Sequence, residues 1–344
     1  MRARISLTVA GNEASDLLPV RDPAVLAAHG ARRAFWTVLD EGPVEECLAL
    51  LVQREDGRWV THHQRLDAAA ETGRTEDGEA LAHRDGFVYV VGSHFGSKRG
   101  PLRPRRAFVA RFAEAQTAAG VPRVTVVRNR FRLHRLVNDA LRDCGVPLLA
   151  AGPAVRELFV AETIRRGRER GKGWAARLDP ADLPVNVEGA AFTAAGTLLL
   201  GLRYPVAADG APLLVELSDP AGMFASPPRW PAAAAVYTLA GVVPPGRLTG
   251  FRALSARPDG GYDAVIGSID ALDKGSALLE DHPHGGDVHG RHVRFRLPAA
   301  GRVADAVVVA ELAPLHHVEG VVESEGERCY VTDEDHHIAL LIGR

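Results

Sequence analysis

The sequence predicts an all-β fold: a β-propeller of about five four-stranded blades, or six in an alternative count, with one helical insertion. Three observations predict it. First, 35 Gly and 22 Pro are spread through 344 residues and separate short apolar runs such as Phe35–Leu39, Phe87–Val91 and Val293–Leu297. That is the pattern of short strands joined by turns. Second, four segments align with one another. Each is a strand, a Gly-containing turn and a second strand, opening with a charged residue followed by a small one. From Glu79 to His94, Glu188 to Arg203, Arg252 to Gly267 and Glu319 to Glu334 the separation is 15 residues every time. Third, Glu188 to Arg252 is 64 residues and Arg252 to Glu319 is 67, and each interval has room for four strands. Internal repetition of one supersecondary unit is the sequence signature of a repeat architecture.

The blades are assigned in chain order. A first unit is expected from strands near Ala14–Leu18, Phe35–Leu39, Glu46–Val52 and Arg58–His63. The units opening at Glu79, Glu188 and Arg252 come next. The interval from Glu79 to Glu188 is longer, 109 residues, because it contains helical spacing from about 133 to 171. Leu133, Leu136, Val137, Ala140 and Leu141 recur on one helical face. A second helix is expected from Pro153 to Arg170, with Pro in its first turn and Gly171 beyond its end. Arg165, Arg166, Arg168 and Arg170 in its last turns read as a solvated face that complements the helix dipole. A sixth blade would require part of 100–182 to form one.

Only 25 residues come after Glu319. They supply strands at 318–323, 328–332 and 337–342. The fourth strand of that blade is expected from the N-terminus, residues 4–9. Closing a ring with a strand from the other end of the chain leaves no open sheet edge. The length therefore reads as a single propeller domain, 1–344, rather than two domains.

Composition narrows the function. The net charge of -2 disfavours a broad nucleic-acid surface. Arg outnumbers Lys 38 to 3, which with abundant Ala reads as GC-rich coding before it reads as function. Cys47, Cys144 and Cys329 are odd in number and far apart, so neither a disulfide framework nor a zinc knuckle is expected. No apolar run is long enough for a membrane span, and the N-terminus lacks a signal-peptide core. A cytoplasmic location is the default expectation.

Asn186-Val187-Glu188-Gly189-Ala190-Ala191 followed by Leu200-Gly201-Leu202-Arg203-Tyr204-Pro205 resembles the "N-x-E-G-L-A … G-L-R-x-P" signature of the bacterial domain-of-unknown-function family 3616. Glu76-Asp77-Gly78-Glu79-Ala80-Leu81-Ala82 with Val91-Gly92-Ser93-His94 resembles its "D-x-E-G-L-A … G-S-H" blade. Leu39-Asp40-Glu41-Gly42 and Gly250-Phe251-Arg252-Ala253-Leu254 resemble its "D-E-G" and "G-I-R" units. Gly78 and Ala80 depart from the family pattern. The resemblance runs from about 30 to 335 and implies a propeller with no settled activity. More distantly the chain looks like phytase-like esterase propellers and gluconolactonase- or regucalcin-type lactonase propellers. That resemblance implies a divalent cation near the central axis.

The repeat also locates the candidate site. Innermost strands line a propeller's channel, so Glu79, Glu188 and Glu319, with Arg252 in the fourth unit, are expected to point into it. Carboxylates sharing a channel need a cation, a shared proton or arginine partners, and hard oxygen donors suit Ca2+ or Mg2+. The bland alternative is that each Glu holds a neighbouring blade, with Arg252 and Arg203 as ion-pair partners. The second set, 15 residues on, differs from unit to unit as a grafted site does. There His94 is the expected general base, Arg203 an anion holder, and Glu334 a further metal ligand beside Asp333 and Asp40-Glu41. Eight of 14 His fall between 282 and 337. The segment 281–292 has metal-ligand types but reads more simply as an exposed Gly-rich loop, while His317 is expected to approach the axis. No GxSxG, Walker A, GxGxxG or HExxH is present. Two functions fit: a metal-assisted hydrolase or lactonase taking a small anionic substrate at the channel mouth, with Arg252 and Arg203 on the anion, or a non-catalytic interaction or scaffold propeller.

Overall fold

The computed structural model describes residues 3–8, 13–39, 42–270, 275–315, 317–334 and 337–343, without the side chains of Asp333, Glu334 and His337. It is a five-bladed propeller. The first blade comprises β2 (Ala14–Pro19), β3 (Ala31–Leu39), β4 (Leu48–Arg54) and β5 (Trp59–Gln64). The second comprises β6 (Gly78–Arg84), β7 (Phe87–Gly92), β8 (Phe108–Ala113) and β9 (Val124–Arg128). The third runs through β10 (Asn186–Phe192), β11 (Leu198–Tyr204), β12 (Leu213–Leu217) and β13 (Ala233–Ala240). The fourth runs through β14 (Gly250–Ala256), β15 (Tyr262–Gly267), β16 (Arg291–Phe295) and β17 (Val303–Glu311). The fifth has β18 (Val318–Ser324), β19 (Glu327–Glu334) and β20 (His337–Gly343), and β1 (Ala3–Leu7) is its outermost strand.

β1 pairs antiparallel with β20, Ala3 opposite Ile342 and Leu7 opposite Ile338. The N-terminal strand thus completes the last blade, as the strand count requires. Residues 100–182 add no sixth blade: Phe108–Ala113 and Val124–Arg128 finish the second, and the chain beyond them turns helical. The outer strands β13 and β17 also pair in parallel, Thr238 opposite Val303, joining the edges of the third and fourth blades.

Each blade buries both faces, so its inner strands are almost continuously apolar. Along β6, Ala80 and Ala82 pack toward the third blade while Leu81 packs toward the first. That is the two-residue side-chain alternation of a strand with a neighbour on each side. Apolar seams of this kind separate successive blades all round the ring. The seam between the fourth and fifth blades is the least apolar. Beside Ala253, Val265 and Val321 it carries a polar network in which His292 bridges the Tyr330 hydroxyl, at 2.8 Å, and Asp263, at 2.9 Å.

The insertion contains α2 (Arg132–Asp143), whose Leu133, Val137 and Leu141 face the second and third blades. A helix over 153–169 comes next, π-helical at Arg156–Ala161, and ends ahead of Gly171 at φ +59°. The arginines of its last turns are solvated as expected: Arg165 and Arg166 pair with Glu162, at 2.6 and 2.5 Å. The His-rich segment is not a free loop. It forms a short helix, Ala277–Asp281, and a 3-10 turn, Pro283–Gly285. The Asp281 carboxylate accepts the backbone N–H groups of Ala154 and Val155, at 3.2 and 2.8 Å, docking the segment on the insertion. His292 lies inside β16 and is buried.

Candidate functional site

The inner strands share one irregularity that builds the site. In β6, β10, β14 and β18 the pairing register slips by one residue, at Glu79, Glu188, Arg252 and Glu319 respectively. A bulge leaves one residue without a cross-strand partner and re-aims its side chain. The repeat's charged position is therefore the bulged position, which frees these four side chains from the blade faces. β2 has the same slip between Ser15 and Leu18, and Asp16 lies within it with φ +58°.

Asp16 is thus the fifth member, and sequence reasoning missed it. Its signal was obscured twice. Leu17 stands where the other units have Ala or Gly, and α1 (Pro23–Ala28) lengthens the hairpin beyond the constant spacing. Asp16 is buried, and its carboxylate accepts the N–H groups of Leu81, on the next blade, and Leu17, both at 2.7 Å.

The small residue after the charged one has a packing reason. A Cβ added at Gly189 would lie 2.7 Å from the Leu254 Cβ on β14. One added at Gly320 would lie 2.8 Å from the Asp16 carbonyl carbon on β2. Neighbouring inner strands approach so closely there that a side chain has no space.

The three glutamates do converge. One carboxylate oxygen from each of Glu79, Glu188 and Glu319 lies within 4.8 Å of the others. Glu188 and Glu319 are buried and Glu79 is half-buried. Two arginines join them. Arg203 Nη1 pairs with Glu188 Oε1 at 2.9 Å, and its Nε donates to the Ser268 carbonyl on the fourth blade at 3.2 Å. Arg252 pairs with Glu319 and stands 3.8 Å from Glu188 Oε2. Asn186 donates to Glu188 Oε1 and Ser15 donates to Glu319 Oε2, both at 3.1 Å.

Burial would lower the pKa of Arg203, but Glu188, Asp270 and Glu79 outweigh it and hold the guanidinium above its ordinary value. Arg252 goes the other way. Burial, then repulsion from Arg203, brings it down to about 10.

A cleft of about 310 Å3 opens beside this group, lined by Arg203, Arg252, Ser268 and Asp270 and by two exposed histidines, His289 and His317. It lies over the fourth and fifth blades, above the least apolar seam. His317 reaches this mouth from the residue preceding β18, as its position two before Glu319 predicts. His289 comes from the segment expected to be exposed loop, which instead walls the cleft.

His94 is elsewhere. The chain reverses after β7, with His94 at φ +62°, and the ring is buried. Its Nδ1 bonds the Gly92 carbonyl and its Nε2 meets Asn129 Nδ2, both at 2.7 Å. That network places the proton on Nδ1. Burial lowers its pKa to about 4. Neither ring nitrogen faces the cleft, which corrects the general-base expectation. Ser93, its neighbour, hydrogen-bonds Asp77, and the Ser93 carbonyl accepts the Val187 N–H at 2.8 Å. The Gly-Ser-His stretch therefore stitches the second blade to the third. Glu334 is on β19, but its side chain, like Asp40, Glu41, His316 and His336, lies outside the described residues.

Among the described residues no helix is long and apolar enough to cross a membrane. No protein-family model and no curated protein matches the chain. Similar solved structures include a mannose phosphorylase from Leishmania mexicana in complex with phosphate, at 10% identity and TM-score 0.45, covering 99% of this chain and 87% of that one. A β-1,3-galactosidase with galactodeoxynojirimycin is 11% identical with TM-score 0.45, covering 96% and 90%. An arabinanase from Bacillus subtilis is 9% identical with TM-score 0.42, covering 98% and 95%. At these identities and scores none of the three bears on activity or substrate.

Proposed function

We propose that this propeller is a divalent-metal-assisted hydrolase, of esterase, lactonase or phosphoesterase type, acting on a small anionic substrate in the axial cleft. One observation carries the reading: carboxylates from three separate blades meet within 4.8 Å, and the two arginines that pair with them also line the adjoining cleft. The donor set fits a hard cation. Oxygens bound to Ca2+ at about 2.4 Å are no more than about 4.8 Å apart.

Glu79, Glu188 and Glu319 would hold the ion. Such an ion polarises a carbonyl or phosphoryl oxygen and acidifies bound water. Arg203 and Arg252 would orient the substrate anion, with planar guanidinium donors that match a carboxylate or phosphate. Proton exchange falls to His289 or His317, which line the mouth, and not to His94. No family model supports the resemblance to family 3616, and it adds no activity to this reading.

A second reading has its own observation. Arg252 already pairs with Glu319, and Arg203 with Glu188. A fully self-neutralised hub would serve a non-catalytic scaffold propeller.

Elemental analysis of the purified protein, with melting measured in EDTA and in Ca2+, separates the two. The hydrolase reading expects a stoichiometric divalent metal, a higher melting temperature with Ca2+, and loss of both in Glu188→Gln. An unchanged melt and no metal would favour the scaffold. Screening small lactones, carboxylate esters and phosphate esters then identifies the bond cleaved.

A further inference from the structure

A second cavity, about 290 Å3, lies between the insertion and the third blade, away from the axial group. Arg132, Leu133 and Leu136 from α2, Arg177, Trp230 and Pro231 line it. Two of its guanidiniums are held in place without a carboxylate. Arg132 stacks on Trp230, 4.7 Å from the ring centroid. Arg177 donates to the backbone carbonyls of Asn129 and Arg130, at 3.3 and 2.8 Å. Neither forms an ion pair with an acidic side chain among the described residues. The contrast with Arg135 is plain, since Asp139 and Asp182 neutralise it at 3.0 and 2.8 Å.

Burial, then Arg132 and Arg130, lowers the pKa of Arg177. This is crowding of like charges that a bound anion would relieve. Both guanidiniums are oriented before any ligand arrives, so little rotamer entropy is lost on binding. Leu133, Leu136, Pro231 and the indole supply the apolar part of the wall, and Arg135 with its ion-pair partner Asp139 completes the lining.

We propose that this cavity is a second binding site, for a small phosphate monoester carrying an aromatic ring. Its dianionic phosphate sits between Arg132 and Arg177, and its ring lies on the apolar wall. The site does not depend on the axial metal.

Calorimetric titration with phenyl phosphate and adenosine 5′-monophosphate tests it, with inorganic phosphate, phenol and adenosine as controls. Both ring phosphates are expected to bind one per chain, tighter than any control, and to change Trp230 fluorescence, identified by its loss in Trp230→Phe. Arg132→Gln with Arg177→Gln should weaken them at least about tenfold while the protein still melts cooperatively, since Arg132 is exposed and Arg177, half-buried, gives up only two hydrogen bonds to backbone carbonyls. Binding of ring phosphates no tighter than inorganic phosphate overturns the proposal. So does binding that survives in the double variant, which would move it to the axial cleft. Metal content and axial hydrolysis are unaffected by either result, so failure here leaves the axial reading standing.

Discussion

Asp16 on the first blade accepts the backbone N–H of Leu81 on the second at 2.7 Å, so one bulged carboxylate clasps two adjacent inner strands. Burial pushes this carboxyl up to about 7 in spite of the N–H donors of Leu81 and Leu17. The native state therefore holds a proton that the unfolded chain releases near pH 4. Linkage makes stability fall as pH rises from about 4 to about 7, by on the order of a few kcal/mol at most. Asp16→Asn cannot ionise, and it keeps one carbonyl acceptor where Asp has two oxygens. Denaturant melts should show it about 1–3 kcal/mol less stable than the wild type at pH 5, with the gap narrowing toward pH 8. A gap independent of pH would mean that Asp16 does not titrate in this range.

His94 predicts the opposite slope. Its pKa is lowered from 6.5 to about 4 by burial, so the unfolded chain takes up a proton first. The stability it contributes is complete above about pH 6.5 and is lost as pH falls toward 4, by about 3 kcal/mol at most. His94→Gln should flatten that part of the pH–stability curve. It should also leave Ca2+ affinity unchanged, because the ring lies away from the glutamates. A fall in metal affinity without a fall in stability would return His94 to the site.

These two residues also mark how much of the site was legible. The repeat located Glu79, Glu188, Arg252 and Glu319, because a bulge at one fixed position in each inner strand keeps residue type and spacing constant. It missed Asp16, where α1 interrupts the hairpin and Leu17 replaces the small residue. It misplaced His94, because strand alternation says nothing about a chain that reverses at positive φ just beyond the strand end. The blade count and the closing N-terminal strand were legible, since intervals of constant length hold a constant number of strands. The cleft was not legible. Its wall comes from His289 and Ser268, whose positions depend on how the 281–292 segment docks through Asp281, a contact 127 residues distant in sequence.

Gly189 gives a packing test of the same ring. An added methyl group would sit 2.7 Å from the Leu254 Cβ and 3.1 Å from its backbone nitrogen. The second contact is backbone and cannot rotate away. Gly189→Ala should therefore cost about 1–3 kcal/mol in urea unfolding. It should also weaken metal binding, since Glu188 is the adjacent bulged residue. A fully stable variant would show that the inner strands can separate without penalty.

Arg252 tests whether the axial group needs a cation. Its guanidinium pairs with Glu319 and stands 3.8 Å from Glu188. Arg252→Met keeps much of the side-chain length and removes the charge, leaving three carboxylates within 4.8 Å with one of their two arginine partners gone. Breaking a buried pair by removing one partner costs about 3–5 kcal/mol. If the glutamates form a metal site, Ca2+ should restore much of that loss, and the variant should melt at a Ca2+-dependent temperature to a greater degree than the wild type. If Arg252 is instead the permanent counter-ion of a scaffold hub, the loss should persist at any Ca2+ concentration. Lowering the pH toward the carboxyl range should then rescue the variant, because protonation is the remaining way to relieve the repulsion. Melts across Ca2+ and pH on this one variant therefore distinguish a cation site from a self-neutralised hub.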